Sequence, residues 1–437
     1  LTKPPDALIE RARDLLRKVG YTETAVDSAS GSYVDGDALR YVTDTVHNRP
    51  NAVEAAGVVG YLYRESPQPL LGVGPVGGVD PDNPTMEFPG EVSVQLDGQG
   101  RLRTFRAVPP RIESDTVASP IDWSVLFSEA GLDIGQWKAV DPEWTPPFYA
   151  DTRNAWIGNL PYSANDPVRI EAASYRGKPV SFAIIGPWTL PTPARGLYAG
   201  VELPTQAYAL TAVLLLVLGS AAVFFARRNL QLGRGDRRGA TRLMLVTLGL
   251  WTLSWICIEH HVASLSEWLL IAAFVGTFLP AVGLLWVFYI AVEPFVRRRW
   301  PQMLVSWSRV LAGDWRDPLV GRDVLIGAAT GIALVNLGYG SLLAWSAVGR
   351  AVPPQFIFDW NLFNGPRSFL GGLLGLSTGA ITTGLQLLLM LLLLRVALRR
   401  DWAAAAALVI LMGAQRVAST GAFVPLDVIL LAVASAI

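Results

Sequence analysis

Apolar and polar positions follow two different regimes along this chain. Over residues 1–205 apolar side chains recur at short periods between polar ones. Leu8, Ala12, Leu15, Leu16 and Val19 mark one face of a helix that Pro4-Pro5-Asp6 opens and Gly20 stops. A Ser/Gly/Asp loop is expected over 27–36, a short helix near 37–45 and a strand over 58–64. Val92, Val94 and Leu96 then alternate with polar residues, Asp97-Gly98-Gln99-Gly100 turns, and Leu102, Phe105 and Val108 return, which predicts a hairpin. A shortened copy follows: a helix over 122–132, then two strands around the turn Tyr175-Arg176-Gly177-Lys178. Between them, 137–156 is rich in Pro, Trp and Tyr and reads as a packed irregular segment. Helix followed by hairpin, twice, predicts two α+β units, over 1–110 and 111–190, each with a helix on an antiparallel sheet.

After a Pro-rich linker over 191–206 the pattern changes to long apolar runs. About 20 consecutive apolar residues cross a bilayer as a helix. Six runs qualify, at 207–226, 243–262, 268–292, 324–345, 369–394 and 402–423, and a seventh begins at Leu426. The predicted fold class is thus an α+β soluble module followed by a polytopic α-helical membrane domain of six to seven spans over 207–437.

Charge adds sidedness to this picture. The 437 residues carry 36 basic and 36 acidic groups, but the balance is uneven. From Gln206 onward there are 18 arginines, no lysine and 10 acids; the first 205 residues hold 18 basic and 26 acidic groups. Arginines fill the loops after the first, third and fifth spans, and arginine clusters beside spans are retained on the cytoplasmic side. The acidic module is therefore expected outside the cytoplasm, in the periplasm of a bacterial inner membrane. No basic patch points to nucleic acid. The single cysteine, Cys257, excludes an internal disulfide framework.

The densest arginine cluster opens a patterned stretch. Arg297, Arg298 and Arg299 end an apolar run, and Trp300, Met303, Leu304, Trp307 and Leu311 then form one helical stripe. An amphipathic helix over 300–316, ending near Trp315, is expected to lie in the membrane interface as an anchor or a coupling element. Within the spans, Asn336, Gln386 and Arg416 are polar, and Asn336, Gln386 and Asp427 are candidate partners for the arginine. Gly327, Gly331 and Gly338, like Gly371, Gly375 and Gly379, are spaced for close helix packing.

Candidate chemistry is sparse. Glu259, His260 and His261, with Glu267 nearby, are residue types that ligate zinc, but HExxH spacing is absent and the ordinary reading is a hydrogen-bonded interfacial cluster. Gly72-Val-Gly74-Pro-Val-Gly77 has the letters of a dinucleotide fingerprint without the helix that must follow it. No kinase catalytic loop, metal-binding Asp-Phe-Gly or nucleotide loop is present, so no catalytic residue, cofactor or metal site is assigned.

The run EPFVRRRWPQMLVSWSRVLAGDWRDPLVGRDVL resembles the membrane region that follows the kinase domain in acidobacterial-type bacterial serine/threonine protein kinases. The segments LIERARDLLRKVGY, DWSVLFSEAGLD, WTPPFYADTRNAW and IEAASYRGKPVSFAIIGPW extend that resemblance across nearly the whole chain. The helix-and-hairpin units also resemble PepSY-like domains. The resemblance implies a non-catalytic sensor and anchoring region joined to a cytoplasmic kinase, with a periplasmic ligand as its input. The chain begins with leucine, which is read as a processed product or a part of something longer. A cytoplasmic domain upstream of Leu1 requires a further span before it. The alternative is an accessory subunit of a larger membrane complex, with the module as its docking domain.

Overall fold

The computed structural model describes residues 2–44, 52–72, 78–112, 120–161, 163–189, 205–299, 301–314, 316–347 and 360–420. Helix α1 (Pro5–Lys18) starts with proline in its first turn and buries Leu8, Ala12, Leu15 and Leu16, the predicted face. Strand β1 (Asp27–Val34) follows, then α2 (Gly36–Asp44), α3 (Ala52–Ala56) and β2 (Val59–Ser66). The hairpin β3 (Val92–Asp97) and β4 (Leu102–Ala107) closes the first half. The second half repeats the order with α4 (Ser124–Glu129), β5 (Lys138–Val140), β6 (Thr152–Leu160), β7 (Ser163–Tyr175) and β8 (Lys178–Ile185).

The eight strands form one antiparallel sheet in the order β1-β2-β3-β4-β8-β7-β6-β5. The halves are thus related by an approximate twofold, with their last strands paired at the centre. Phe105 of β4 stands directly opposite Phe182 of β8 at that junction, and both are fully buried. The two helices end alike. Gly20 and Gly131 take positive φ, 85° and 71°, which a residue with a Cβ resists. Beyond them Tyr21 N–H bonds Leu16 C=O at 2.9 Å, and Leu132 N–H bonds Phe127 C=O at 2.8 Å. This is the same C-terminal cap made twice. The buried Glu129 of α4 joins the copies, accepting from Arg11 Nη2 at 2.9 Å and Lys18 Nζ at 2.6 Å, both on α1.

Cross-strand register separates the two faces. Tyr63, Val94, Phe105, Phe182 and Ala172 lie in one row across five strands. They bury against α1 and α4, with the Phe127 ring edge-on to Phe182, Trp137 and Trp156. Each such large side chain contributes roughly 1.5–3 kcal/mol on burial. The opposite face carries Arg64, Ser93, Arg106, Ser181 and Ala173 in one row, and Leu62, Gln95, Thr104, Ala183 and Glu171 in the next.

Two expectations are corrected. Residues 27–34, read as a loop, are strand β1, which pairs with β2 at eight positions from Asp27↔Ser66 to Val34↔Val59. Small polar residues tolerate an edge strand when a partner supplies the ladder, so tertiary pairing overrides local preference. The segment 137–156, read as irregular, contains β5 and the start of β6, paired through Lys138↔Ile157 to Val140↔Ala155.

The chain divides into two compact units, and the first joins the sheet module to residues 255–274 and 353–372. The second holds most of the helical part: α5 (Thr205–Gln231), α6 (Arg237–Ile258), α7 (Glu267–Arg299), α8 (Pro301–Ala312), α9 (Pro318–Ala347), α10 (Pro366–Leu398) and α11 (Asp401–Thr420). Among the described residues α5, α6, α7 and α10 are long and apolar enough to cross a membrane. The polar breaks in this unit are individually answered. Pro294 lies inside α7 and has no N–H for the carbonyl of Ile290, four residues back. Asn229 of α5 supplies the missing donor, its Nδ2 lying 2.9 Å from Ile290 O and 3.2 Å from Ala291 O. The predicted glycine packing holds at Gly375, whose Cβ position would lie 3.2 Å from Ser254 Oγ, whereas Gly327, Gly331 and Gly379 face open space.

Replacing Asn229 with leucine removes the donor from two carbonyls in an apolar setting. The expected loss is about 1–3 kcal/mol, read as a lower unfolding temperature in detergent together with faster hydrogen exchange around residues 290–296. Asn229→Gln is expected to retain part of the stability, and equal behaviour of the leucine variant and the parent would refute the role.

Candidate ligand groove on the polar face of the sheet

On the polar face of the sheet many side chains are held by loops and by each other. Arg64 of β2 is fully buried and pairs with the equally buried Glu91. Its Nη1 also donates to the carbonyls of Asp80, at 3.0 Å, and Pro84, at 2.8 Å. Glu91 Oε2 accepts from the N–H of Glu87 at 3.1 Å. One ion pair thus ties residues 80–91 to β2.

A groove of about 1500 Å³ runs beside that segment. Its floor includes Gln95, Thr104, Ser181 and Ala183, and its walls come from 78–86 and from Trp144-Thr145-Pro146-Pro147-Phe148. The volume exceeds the usual range for one small molecule, about 300–1,000 Å³. At the β1–α2 corner Tyr33 lies over Gly60, where an added Cβ would sit 2.4 Å from the ring. Glycine there lets the phenol turn inward and donate to Gln95 Oε1 at 3.0 Å. Burial, reinforced by Asp35, pushes the Tyr33 hydroxyl well above its ordinary range. Asp35 caps α2 by accepting from the N–H groups of Asp37 and Ala38, both at 3.0 Å. Burial outweighs those bonds and raises its carboxyl above the usual aspartate range.

Charges of both signs face the groove. Arg106 pairs with Asp82 at 2.9 Å. Glu171 accepts from Arg169 Nε and from the N–H of Glu143, both at 3.0 Å. Arg103 is buried with its guanidinium 5.8 Å from the Trp188 ring centre. Arg153 is exposed and has no carboxylate partner among the described residues. Such a lining is suited to holding a polar ligand with flat apolar surfaces, by hydrogen bonds and by contact with Trp144, Phe148 and Trp188.

The remaining groove residues come from far along the chain. His260 Nε2 lies 3.1 and 3.0 Å from the two carboxylate oxygens of Asp27 on β1. Asn364 Oδ1 accepts from Ser32 N at 3.2 Å and Ser32 Oγ at 2.7 Å, occupying the free edge of β1. Arg367 donates to the carbonyls of Ile256, at 2.8 Å, and Glu259, at 3.0 Å. Cys257, His260, Asn364 and Arg367 all line the groove.

The predicted polar cluster is therefore split. Glu259 is buried, His260 turns to Asp27, and His261 Nδ1 pairs with Glu267 Oε1 at 2.6 Å. Among the described residues no three such groups converge as a metal site. In the helical unit, Arg297 pairs with Glu293 at 2.5 Å and Arg299 with Asp401 at 3.1 Å, while Arg298 is exposed. Trp307 of α8 is half-buried against the helical core. Trp300, Trp315, Asp427 and the glycines of 73–77 lie outside the described residues, as does the Arg416 side chain. Asn336 bonds its own helix at Ile332 O, 2.8 Å away, and Gln386 is half-buried.

Sequence reasoning missed the groove. Its signal was present in part, because the strands alternate and their polar positions include Arg64, Arg106 and Glu171 rather than short solvated side chains. Pairings such as His260 with Asp27, 233 residues apart, leave no trace in local pattern. Comparison of the chain with protein-family models, with curated proteins and with solved structures finds no match in any of the three.

Asp35 gives a pH test. A carboxyl whose folded pKa is raised favours folding while protonated, and that advantage fades as pH climbs past the ordinary aspartate value of about 3.9. The stability of the parent relative to Asp35→Asn is expected to fall as pH rises from about 4 toward 7. Denaturant midpoints of the two proteins measured across that window would refute this if their difference stayed constant.

Proposed function

We propose that this chain is the sensor and anchoring region of a bacterial inner-membrane receptor of serine/threonine kinase type. In this reading the sheet module lies in the periplasm and the groove takes a ligand there. Six to seven spans carry the response, and the arginine-rich side faces a cytoplasmic kinase. The supporting observation is that residues 255–274 and 353–372 belong to the module's compact unit, and that Cys257, His260, Asn364 and Arg367 among them line the groove. A ligand there touches His260, Asn364 and Arg367 along with the sheet. It shifts those segments to the extent that it binds their two settings with different affinity. The alternating arginine loops support the sidedness, and the resemblance of the membrane region to kinase-linked relatives supports the effector.

Two measurements test this. In a Cys257→Ser background, single cysteines at Ile112, which is 84% exposed, and at Arg234 are probed with a membrane-impermeant maleimide on sealed right-side-out cells. Labelling of position 112 with protection of position 234 is expected, and the reverse would invert the topology. The intact mass of the native polypeptide is expected to exceed the 47.2 kDa of these residues by a kinase domain. A mass of 47.2 kDa with no co-purifying kinase would remove the kinase assignment.

A further inference from the structure

Several arginine-bearing segments of the helical unit meet. Arg297 of α7 lies 4.0 Å from Asp236, which precedes α6. Asp401, at the start of α11, accepts from Arg299 of α7 at 3.1 Å and also from Arg395 of α10. The Arg395 guanidinium lies 5.9 Å from the Phe295 ring centre, and Asn229 ties the end of α5 to α7. Segments far apart in sequence, 227–242, 293–299 and 395–401, thus meet at one rim.

The charge on this rim is unbalanced. The three segments hold twelve arginines and three carboxylates. Every one of those carboxylates is committed within the fold. Asp236 caps α6 through Gly239 N–H at 2.9 Å, Glu293 is buried against Arg297, and Asp401 bridges two arginines. Arg228, Arg238, Arg242, Arg298, Arg399 and Arg400 are exposed, with no carboxylate partner among the described residues. They lie at the ends of apolar helices, which is headgroup depth in a bilayer. A guanidinium offers a planar fork of donors that matches phosphate oxygens two at a time, which a lysine ammonium does not. This half of the chain uses arginine throughout and no lysine.

We propose that this rim is a binding surface for anionic phospholipid headgroups, engaged through their phosphates, and that it fastens α7, α10 and α11 to the charged leaflet. Each basic side chain near an anionic membrane surface adds on the order of 1 kcal/mol of attraction. The surface therefore selects anionic over zwitterionic lipid without needing a deep pocket.

The test reconstitutes the full chain into vesicles of phosphatidylcholine alone or mixed with phosphatidylglycerol. It measures lipid phosphate retained after detergent washing, together with the unfolding temperature. Preferential retention of phosphatidylglycerol, with a higher unfolding temperature, is expected. The triple variant Arg298→Gln, Arg399→Gln and Arg400→Gln is expected to lose that preference about tenfold or more. A variant with equal charge loss on the module, Arg17→Gln, Arg40→Gln and Arg111→Gln, is expected to keep it. Equal retention of both lipids overturns the proposal, as does the same stabilisation by inorganic phosphate in phosphatidylcholine vesicles. A triple variant that keeps its lipid but sheds a co-purifying acidic protein assigns the rim to that protein instead.

Discussion

Arg64 and Glu91 meet inside the protein where neither side chain reaches solvent. Burying two charges is expensive, and the cost is recovered only when both are paired and their remaining donors and acceptors are used. Here Nη1 of the guanidinium also takes the carbonyls of Asp80 and Pro84, and the carboxylate takes the N–H of Glu87, while Arg64 Nε has no hydrogen-bond partner among the described residues. A residue–residue contact of this kind is weak support for stability but strong support for one conformation. It ties residues 80–91 to β2, and with them one wall of the groove. Without that pair the polar face of the sheet is open, and the corner formed by Tyr33, Gln95 and Asp35 has no opposite wall.

The same economy recurs in the helical part. Several polar groups in apolar surroundings are met by a partner: Asn229 for the carbonyls freed by Pro294, Arg297 for Glu293, Asp401 for two arginines. In the absence of water each unmet group costs several kcal/mol. These partners therefore decide which helices can be neighbours. Hydrophobic packing alone does not, since α5, α7 and α10 are apolar along most of their length.

The helices and hairpins were legible in the sequence because periodic burial writes itself into composition. Leu8 to Leu16 recur at helical spacing and Val92 to Leu96 alternate, and both emerge as read. Over their described residues the first six apolar runs emerge as helices, and four of these are long and apolar enough to cross a membrane. What was not legible depended on distant partners. Asp27–Val34 has no apolar alternation, and it is a strand because β2 pairs with it and Asn364 meets its outer edge. Lys138–Val140 is too short to declare itself and exists through β6. The polar residues of the histidine cluster stand out in the sequence, but their partition between Asp27 and Glu267 is a fact of tertiary geometry.

The bond from Asn229 to the carbonyls of Ile290 and Ala291 also has a mechanical side. A proline in a long helix normally leaves a soft joint that flexes in any direction. Here the joint is gripped by a neighbour whose amide reaches two successive rungs of the backbone, at 2.9 and 3.2 Å. Asn229 thus pins α5 to α7 at the level of the break, holding two carbonyls at once.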